Sequence, residues 1–402
     1  MKKLMILGAG PNQLPGIKKA VDMGLYVITV DNISDSIGHK YSNRFVNCST
    51  VDRMGVLKAA TELDVDGIVS FASDVAMPAV GFVVGRLGLP GVSEYVANTM
   101  VNKANLRIFQ NENKLNHPQF LLAKDMDDIR KQISGLTSPL MFKPIDTSGS
   151  RGISVVWEAD PKSWAMAFER AKIHSRAKTV CVEEFVSGID VSGDGLLLNG
   201  RLEYAVLTKK FKKGFVITGH RLPTDLSVAE QERIFVEVVK TCTAIGYKNG
   251  PLDFDVRISR DSVTIVELSP RLGGNGIPMI IEHGTGVDVF SAAIRLSLGY
   301  ELKLPGKAEI SRNCGSLIFG SDIGGILEFI STDQELRDAV PEIFDCYINF
   351  AIGDEVSRFT HGGNSLGFVL FDCPEYSSYS SVVEKIKEHL RIEVRGTSSI
   401  HE

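Results

Sequence analysis

The sequence predicts a mixed α/β and α+β protein in which a parallel βα sheet comes first and antiparallel, strand-rich regions follow. Three observations carry this. Residues 1–92 alternate short apolar strands with helices, the order that builds a parallel sheet covered on both faces. From Gln119 onward the pattern changes to hairpins and core strands with fewer helices. At 402 residues the chain exceeds one ordinary core, so two or three domains are expected.

Each element has a local reason. Leu4–Leu7 is a buried strand, 8–12 a tight turn, and 14–23 a helix stopped by Gly24. Residues 26–30 form a second strand ending at Asp31, and a helix near 54–63 leads to a strand over 67–71. A helix over 75–87 runs into Gly88-Leu89-Pro90-Gly91. Residues 93–111 read as one connecting helix. A small α+β unit follows: strand 120–123, helix 125–133, a strand pair around Lys143, helix 161–176 and strand 179–185. Antiparallel strands are expected over 191–217. Ser227-Val228-Ala229-Glu230 has the capping-box arrangement and should start a helix ending near Gly246. Strands over 252–258 and 263–268 are joined through Arg260-Asp261, and a helix over 289–298 closes the region. The domain limits predicted are 1–95, 96–305 with a subdomain at about 115–185, and 306–402.

Composition excludes several function classes. The chain is 44% hydrophobic and 23% charged with net charge −5, which gives no basic excess for nucleic acid. No apolar run approaches the roughly 18 residues of a membrane span, and the chain opens Met1-Lys2-Lys3 directly into a strand. A cytoplasmic protein with no membrane partner is the expectation. The six cysteines are scattered without a C-x-x-C pair, as buried reduced thiols would be.

The chemistry is read from four segments. In Leu140-Met141-Phe142-Lys143-Pro144-Ile145-Asp146-Thr147-Ser148-Gly149-Ser150-Arg151-Gly152 an apolar strand ends at a lysine and turns through a small, polar hairpin tip. A lone strand lysine is usually a solvated edge residue. Beside Ser148, Gly149, Ser150 and Gly152, however, its ammonium and the free backbone N–H groups suit a polyphosphate. Lys103 is a second candidate cation. Strand 179–185 runs into acids and a turn, either a charged sheet edge or an adenosine slot. In the slot reading, backbone near Glu184 and Val186 would meet adenine and Asp190 the ribose. Leu252-Asp253-Phe254-Asp255-Val256-Arg257 and Val266-Glu267-Leu268-Ser269-Pro270-Arg271 each interrupt an apolar strand with an acid. Such charges are costly unless paired or metal-bound. Asp255 and Glu267 side by side would hold Mg²⁺ (or Mn²⁺) against ATP phosphates, and Arg271 could face an anionic intermediate. Gly273 and Gly274 would let backbone approach the substrate, with His220 and Arg221 as weaker candidates. Gly8-Ala9-Gly10-Pro11-Asn12-Gln13 begins like a dinucleotide fingerprint, but Gln13 replaces the third glycine.

Taken in order, L-G-A-G-P-N-Q, N-K-A-N-L-R, F-K-P-I-D-T-S-G-S-R-G, V-E-E-F-V-S-G-I-D and D-F-D-V-R-I with V-E-L-S-P-R-L-G-G resemble the ATP-grasp superfamily, specifically its carboxylate–amine ligases, over about residues 1–305. The resemblance implies an N-terminal pre-ATP-grasp domain and a nucleotide clamped between two α+β subdomains. It also implies phosphate-contacting Lys103 and Lys143, a lid at 148–152, an adenine stretch at 183–186, metal acids Asp255 and Glu267, and Arg271 near the transferred phosphate. Asp190 stands where a glutamate is more usual. Ser269 stands where many members carry asparagine as third metal ligand. The implied reaction joins a carboxylate to an amine, an amino acid by expectation, through an acyl phosphate with release of ADP. A homodimer is a family-level expectation. Rival readings are a bicarbonate-activating carboxylase or nucleotide-pathway ligase of the same fold, a non-catalytic ATP-binding protein, and a dehydrogenase using the N-terminal turn.

Overall fold

The structure, a computed structural model, describes residues 1–306 and 308–396. The N-terminal alternation builds β1 (Lys3–Leu7), α1 (Leu14–Asp22), β2 (Tyr26–Asp31), β3 (Arg44–Asn47), α2 (Arg53–Leu63), β4 (Gly67–Ser70) and α3 (Met77–Leu87). The four strands are parallel in the order β3-β2-β1-β4. β3 was not expected; it is a mostly exposed edge strand with no buried face to leave a hydrophobic pattern. The chain leaves β1 toward β2 in one direction and returns to β4 in the other. The crevice beyond the carboxyl ends of β1 and β4 is therefore a switch point, where ligands gather in such sheets.

The expected single helix over 93–111 is two helices, α4 (Glu94–Val101) and α5 (Lys103–Glu112). Asn102 breaks it: its backbone is extended and its side chain accepts from Ala104 N and Asn105 N, capping α5. A polar, periodic stretch did not reveal that a half-buried N-cap would restart the helix at Lys103.

Next come β5 (Phe120–Ala123), α6 (Met126–Gln132), β6 (Leu140–Pro144), β7 (Ser154–Val156), α7 (Pro161–His174) and β8 (Val180–Glu184). They form an antiparallel sheet ordered β5-β8-β6-β7. One face packs Phe142, Val180 and Val182 against Ile129 and Phe168. Alternation sends Lys143, Cys181 and Glu183 to the other face.

The chain continues through β9 (Ile189–Leu198), β10 (Arg201–Lys213), β11 (Val216–Leu222), α8 (Val228–Ile245), β12 (Gly250–Ile258), β13 (Val263–Ser269), α9 (Ile277–Thr285) and α10 (Val289–Ser297). α8 starts with the capping box predicted at Ser227 and Glu230 and ends at Gly246 in the left-handed conformation. β14 (Cys314–Phe319), β15 (Gly325–Ile330), α11 (Asp333–Ala339), β16 (Ile343–Ile348), β17 (Glu355–Val356), β18 (Gly367–Asp372), α12 (Tyr379–His389) and β19 (Ile392–Arg395) complete it.

Two compact units emerge. The first comprises 1–206, 226–274, 288–306 and 308, and contains the parallel sheet, the β5-β8-β6-β7 sheet and the antiparallel run β9-β12-β13. The second comprises 207–225, 275–287 and 309–396. It holds β11-β14-β18-β16 and the small sheet β17-β15-β19 around Leu327, Phe371, Tyr379 and Ile386. Among the described residues no cysteine is disulfide-bonded: Cys181, Cys242, Cys314 and Cys373 are buried, Cys48 and Cys346 half-buried. No described helix is long and apolar enough to cross a membrane.

Candidate active site

The candidate site grows from one face of three antiparallel strands. Asp253 pairs across to Ser269 on one side and Asp194 on the other; Asp255 pairs to Glu267 and Ser192. Side chains two residues apart share a strand face, so these six form a patch of two rows and three columns. A bulge between Asp255 and Val256 leaves Val266 out of register, and this brings Glu267 directly opposite Asp255. Ser192 Oγ donates to Asp255 Oδ1 at 2.6 Å. Asp194 is buried and accepts from Gly273 N through both oxygens, at 3.0 and 2.9 Å. Burial and the neighbouring Asp253 push the Asp194 carboxyl well above the usual carboxylate range. Burial likewise pushes Asp253 up to about 7, against the pull of Arg271.

Arg271 is buried beside this patch. Its Nη1 donates to Asp253 Oδ2 at 2.5 Å and to Leu272 O at 3.0 Å. Nε donates to Asp74 Oδ1 at 2.8 Å, and Nη2 reaches the same oxygen. Burial works against the guanidinium's charge, but Asp253 and Asp74 hold it firmly protonated. Asp74 follows β4 at the switch point of the parallel sheet, so the N-terminal fold delivers one of Arg271's two carboxylates.

Lys103, the first residue of α5, donates to Thr147 O at 2.8 Å and pairs with Glu267 at 2.9 Å. Burial would lower its pKa, but Glu267 raises it, so the ammonium persists. Lys143, buried on β6, lies 2.6 Å from Glu183 Oε2. The other Glu183 oxygen takes Arg107 Nε at 2.9 Å. Burial alone would push the Glu183 carboxyl up; Arg107 and Lys143 overcome it and hold it down to about 2. Arg107 was missed in the sequence, although it sits four residues from Lys103 on one helix face. It also donates to Gln110 Oε1 at 2.7 Å and to the carbonyls of Ile265 and Val266 at 3.2 and 3.0 Å. The bulged carbonyl of the acid-bearing strand is thus satisfied by the guanidinium that also fixes Glu183.

The hairpin tip has backbone that demands its residues. Gly149, Ser150 and Gly152 have φ of 70°, 62° and 69°. A Cβ on Gly152 would also meet His174 Cδ2 at 2.9 Å and Pro144 Cγ at 3.1 Å. Asp146 pins the root of the tip, accepting from Ser175 Oγ, Arg176 N and Ala177 N.

In the stretch expected to meet adenine, Glu184 N and Phe185 N already donate to Gln119 O and Pro139 O at 3.0 and 2.8 Å. Val186 O accepts from Arg257 Nη1 at 2.7 Å. Arg257 lies 4.6 Å over the Phe185 ring and 3.5 Å from Asp190. The N-terminal turn is self-satisfied: Asp31 accepts from Ala9 N at 2.9 Å and Gln13 Nε2 donates to Phe71 O at 2.7 Å. Asp31, at the end of β2, therefore braces the turn itself. A Cβ on Gly274 would meet Ala72 Cβ at 3.2 Å, and Leu272 O accepts from Ala72 N, so the glycine loop lies against the end of β4. In the second unit, His220 is buried with Nδ1 3.0 Å from Thr208 Oγ1. Arg221 pairs with Asp225 and stacks 4.0 Å over Tyr376. A cavity of about 900 Å³ lined by Ile68, Met77, Tyr247, Leu296 and Tyr300 contains none of the candidate residues.

Residues 136–279 match a family model described as an ATP-grasp domain. That segment, and with it the face bearing Asp194, Asp253, Asp255, Glu267 and Arg271, is therefore an ATP-grasp-like domain by sequence. The chain is 24% identical over 346 residues to the uncharacterized protein y4rH of Sinorhizobium fredii, covering 84% of this chain and 70% of that protein. The crystal structure of an L-amino acid ligase from Bacillus licheniformis superposes with TM-score 0.83 at 21% identity, over 98% of this chain and 99% of the other. A carboxyaminoimidazole ribonucleotide synthase from Aspergillus clavatus, complexed with ATP, superposes with TM-score 0.76 at 16% identity, over 96% and 99%. At these identities the structural likeness is one of fold.

A metal would find a fitting donor set here. Asp255 and Glu267 face each other, and Ser269 Oγ is buried with no hydrogen-bond partner at ordinary geometry, although Asp74 lies near enough to feel it. No group of three His, Cys, Asp or Glu among the described residues is arranged to hold an ion alone. Two carboxylates and a hydroxyl, completed by phosphate oxygens, match the way Mg²⁺ is usually bound. Because the Ser269 hydroxyl is already unsatisfied, Ser269→Ala should cost little stability. We expect its melting temperature to stay close to the parent's while the Mg²⁺ concentration for half-maximal ADP formation rises several-fold.

Glu183 also makes a pH prediction. A carboxyl held down to about 2 contributes stability that is fully present above the ordinary value of 4.5 and is lost as pH falls toward about 2. Melting temperature followed from pH 6 to pH 2 should fall more steeply for the parent than for Glu183→Gln, which lacks the titrating group.

Proposed function

We propose that this protein uses ATP to activate a carboxylate as its acyl phosphate and then joins it to an amine, releasing ADP and phosphate. The observation that carries the reading is Asp255 opposite Glu267 on one strand face, with Lys103 on Glu267 and Arg271 on Asp253. This concentrates two cations and two facing acids where a phosphoryl group would transfer, and phosphoryl transfer is catalysed mainly by positioning and charge neutralisation.

Mg²⁺, when bound by Asp255, Glu267 and Ser269, would neutralise phosphate charge. Lys143 and Lys103 would exchange their present carboxylate and carbonyl partners for phosphate oxygens. The tip at Ser148–Gly152 would fold its N–H groups over the same oxygens and exclude water. Arg271 would hold the substrate carboxylate and then the acyl phosphate. Glu183–Val186 and Asp190 would border the nucleoside. Gly273 and Gly274 would border the acid. No side-chain nucleophile is needed, because the amine attacks the acyl carbon directly and phosphate departs with the bonding electrons.

The test is ADP and phosphate release across a matrix of amino acids and small carboxylic acids, followed by the mass of the product. Amine-dependent release with an amide product supports the reading. Bicarbonate-stimulated release without amine would move the chain to the carboxylases, and nucleotide binding without ADP formation across the matrix would make it a sensor.

A further inference from the structure

Asp74 belongs to two environments. Through Oδ1 it holds Arg271, which Asp253 already neutralises. It also lines a separate cavity of about 190 Å³ between the loop after β4, the end of α4 and the root of the phosphate hairpin. Most polar groups around this cavity are committed elsewhere. Arg53 donates to Glu94 and Asn98 at 2.8 and 3.0 Å, Asn102 caps α5, and Asp146 accepts three hydrogen bonds from residues 175–177. Two charged groups remain to face a ligand: the Asp74 carboxylate, whose side chain is 16% exposed, and the exposed Arg176 guanidinium. No side chain among the described residues pairs with that guanidinium.

The cavity's position connects it to the reacting centre. It shares Asp74 with the Arg271 cluster, and it shares Thr147, whose carbonyl anchors Lys103, with the hairpin. Asp74, Asp255 and Glu267 stand around Arg271 and Lys103 as three carboxylates against two cations, with Asp253 beside them and Asp194 held toward its neutral form by burial. That excess of negative charge favours a further cation at Asp74. The size is far below the ~300–1,000 Å³ of sites for drug-sized ligands.

The geometry points to this cavity as the subsite for the amine substrate, and we infer that it takes an α-amino acid with a small side chain, its ammonium on Asp74 and its carboxylate on Arg176. The inference rests on the ligase reading for its place in a reaction, but the binding it requires can be measured without turnover. An ammonium held on Asp74 would stand beside Arg271, where the acyl phosphate is proposed to lie, and would need only to lose its proton to attack.

The experiment is calorimetric titration of the full chain, saturated with Mg²⁺ and a non-hydrolysable ATP analogue, with L-alanine, L-alaninamide and L-phenylalanine. The parent should bind L-alanine more tightly than L-phenylalanine. Arg176→Ala should weaken L-alanine at least tenfold, leave L-alaninamide within twofold and leave the nucleotide's affinity unchanged. Arg176→Lys should recover most of the loss. Asp74→Asn should weaken both alanine ligands. Unchanged L-alanine affinity in Arg176→Ala, or no L-alanine binding to the parent, would overturn the subsite while ADP formation continued to support the ligase. Conversely, Arg176-dependent L-alanine binding in a protein that forms no ADP with any acid would keep the subsite and sink the ligase reading.

Discussion

Replacing Lys143 by methionine should lower ATP-dependent ADP formation by about 10²- to 10³-fold, the scale on which a preorganised transition-state contact is lost. Methionine keeps an unbranched apolar stem on the buried β6 position, so the packing of the sheet is largely retained. The ammonium is not otherwise replaceable. Lys103 is held by Glu267 and Thr147, and Arg107 is committed to Glu183, Gln110 and two carbonyls. The substitution also leaves Glu183 with one cation instead of two, so some stability should be lost as well. The double variant Lys143→Met/Glu183→Gln separates the two effects. It removes a charge of each sign, so the lone cation Arg107 remains with its neutral acceptors. Steady-state assays on folded protein should show both variants equally inactive. Parent-like ADP release from either would remove Lys143 from the proposed machinery.

Glu267→Gln is expected to be comparably severe and to differ in kind. The carboxylate faces Asp255 across the strand pair and accepts from Lys103. An amide in its place keeps the shape and an acceptor oxygen but loses the charge that a hard cation requires. ADP formation should fall by about 10²-fold or more. The Mg²⁺ dependence should shift to higher concentration, whereas Lys143→Met should not move it. Glu267 is 36% exposed but its partner Lys103 is buried, so the melting temperature should fall modestly, less than in Lys143→Met. Parent-like activity at parent-like Mg²⁺ would remove Glu267 from the metal set and with it the present account of the patch.

Much of this was legible in the chain itself because strand chemistry has a period of two. Acids at 253, 255 and 267 within apolar runs must face somewhere specific, and alternation places Asp253 and Asp255 together before any partner is known. The capping box at Ser227 and the glycine-bearing tip after Lys143 are local signals of the same sort, and both mark the elements where they stand. Asn102 shows the limit of such signals. Its side chain can cap a helix or decorate one, and only burial of Lys103 against Ile145 and Thr147 selects the break.

The order of apolar, acidic and glycine-bearing segments determined the fold class and made Lys143, Asp255 and Glu267 candidates, because backbone periodicity is a local property; Lys103 stood out only through the family resemblance. The tertiary structure decided which charges meet. Glu183, read as a border of the adenine slot, is in this structure the shared counter-ion of Lys143 and Arg107; Asp74 crosses from the parallel sheet to Arg271 over 197 positions of chain. Such pairings depend on a bulge at Val266 and a switch point beyond β4, and long-range contacts of that kind leave no periodic trace in the residues that make them.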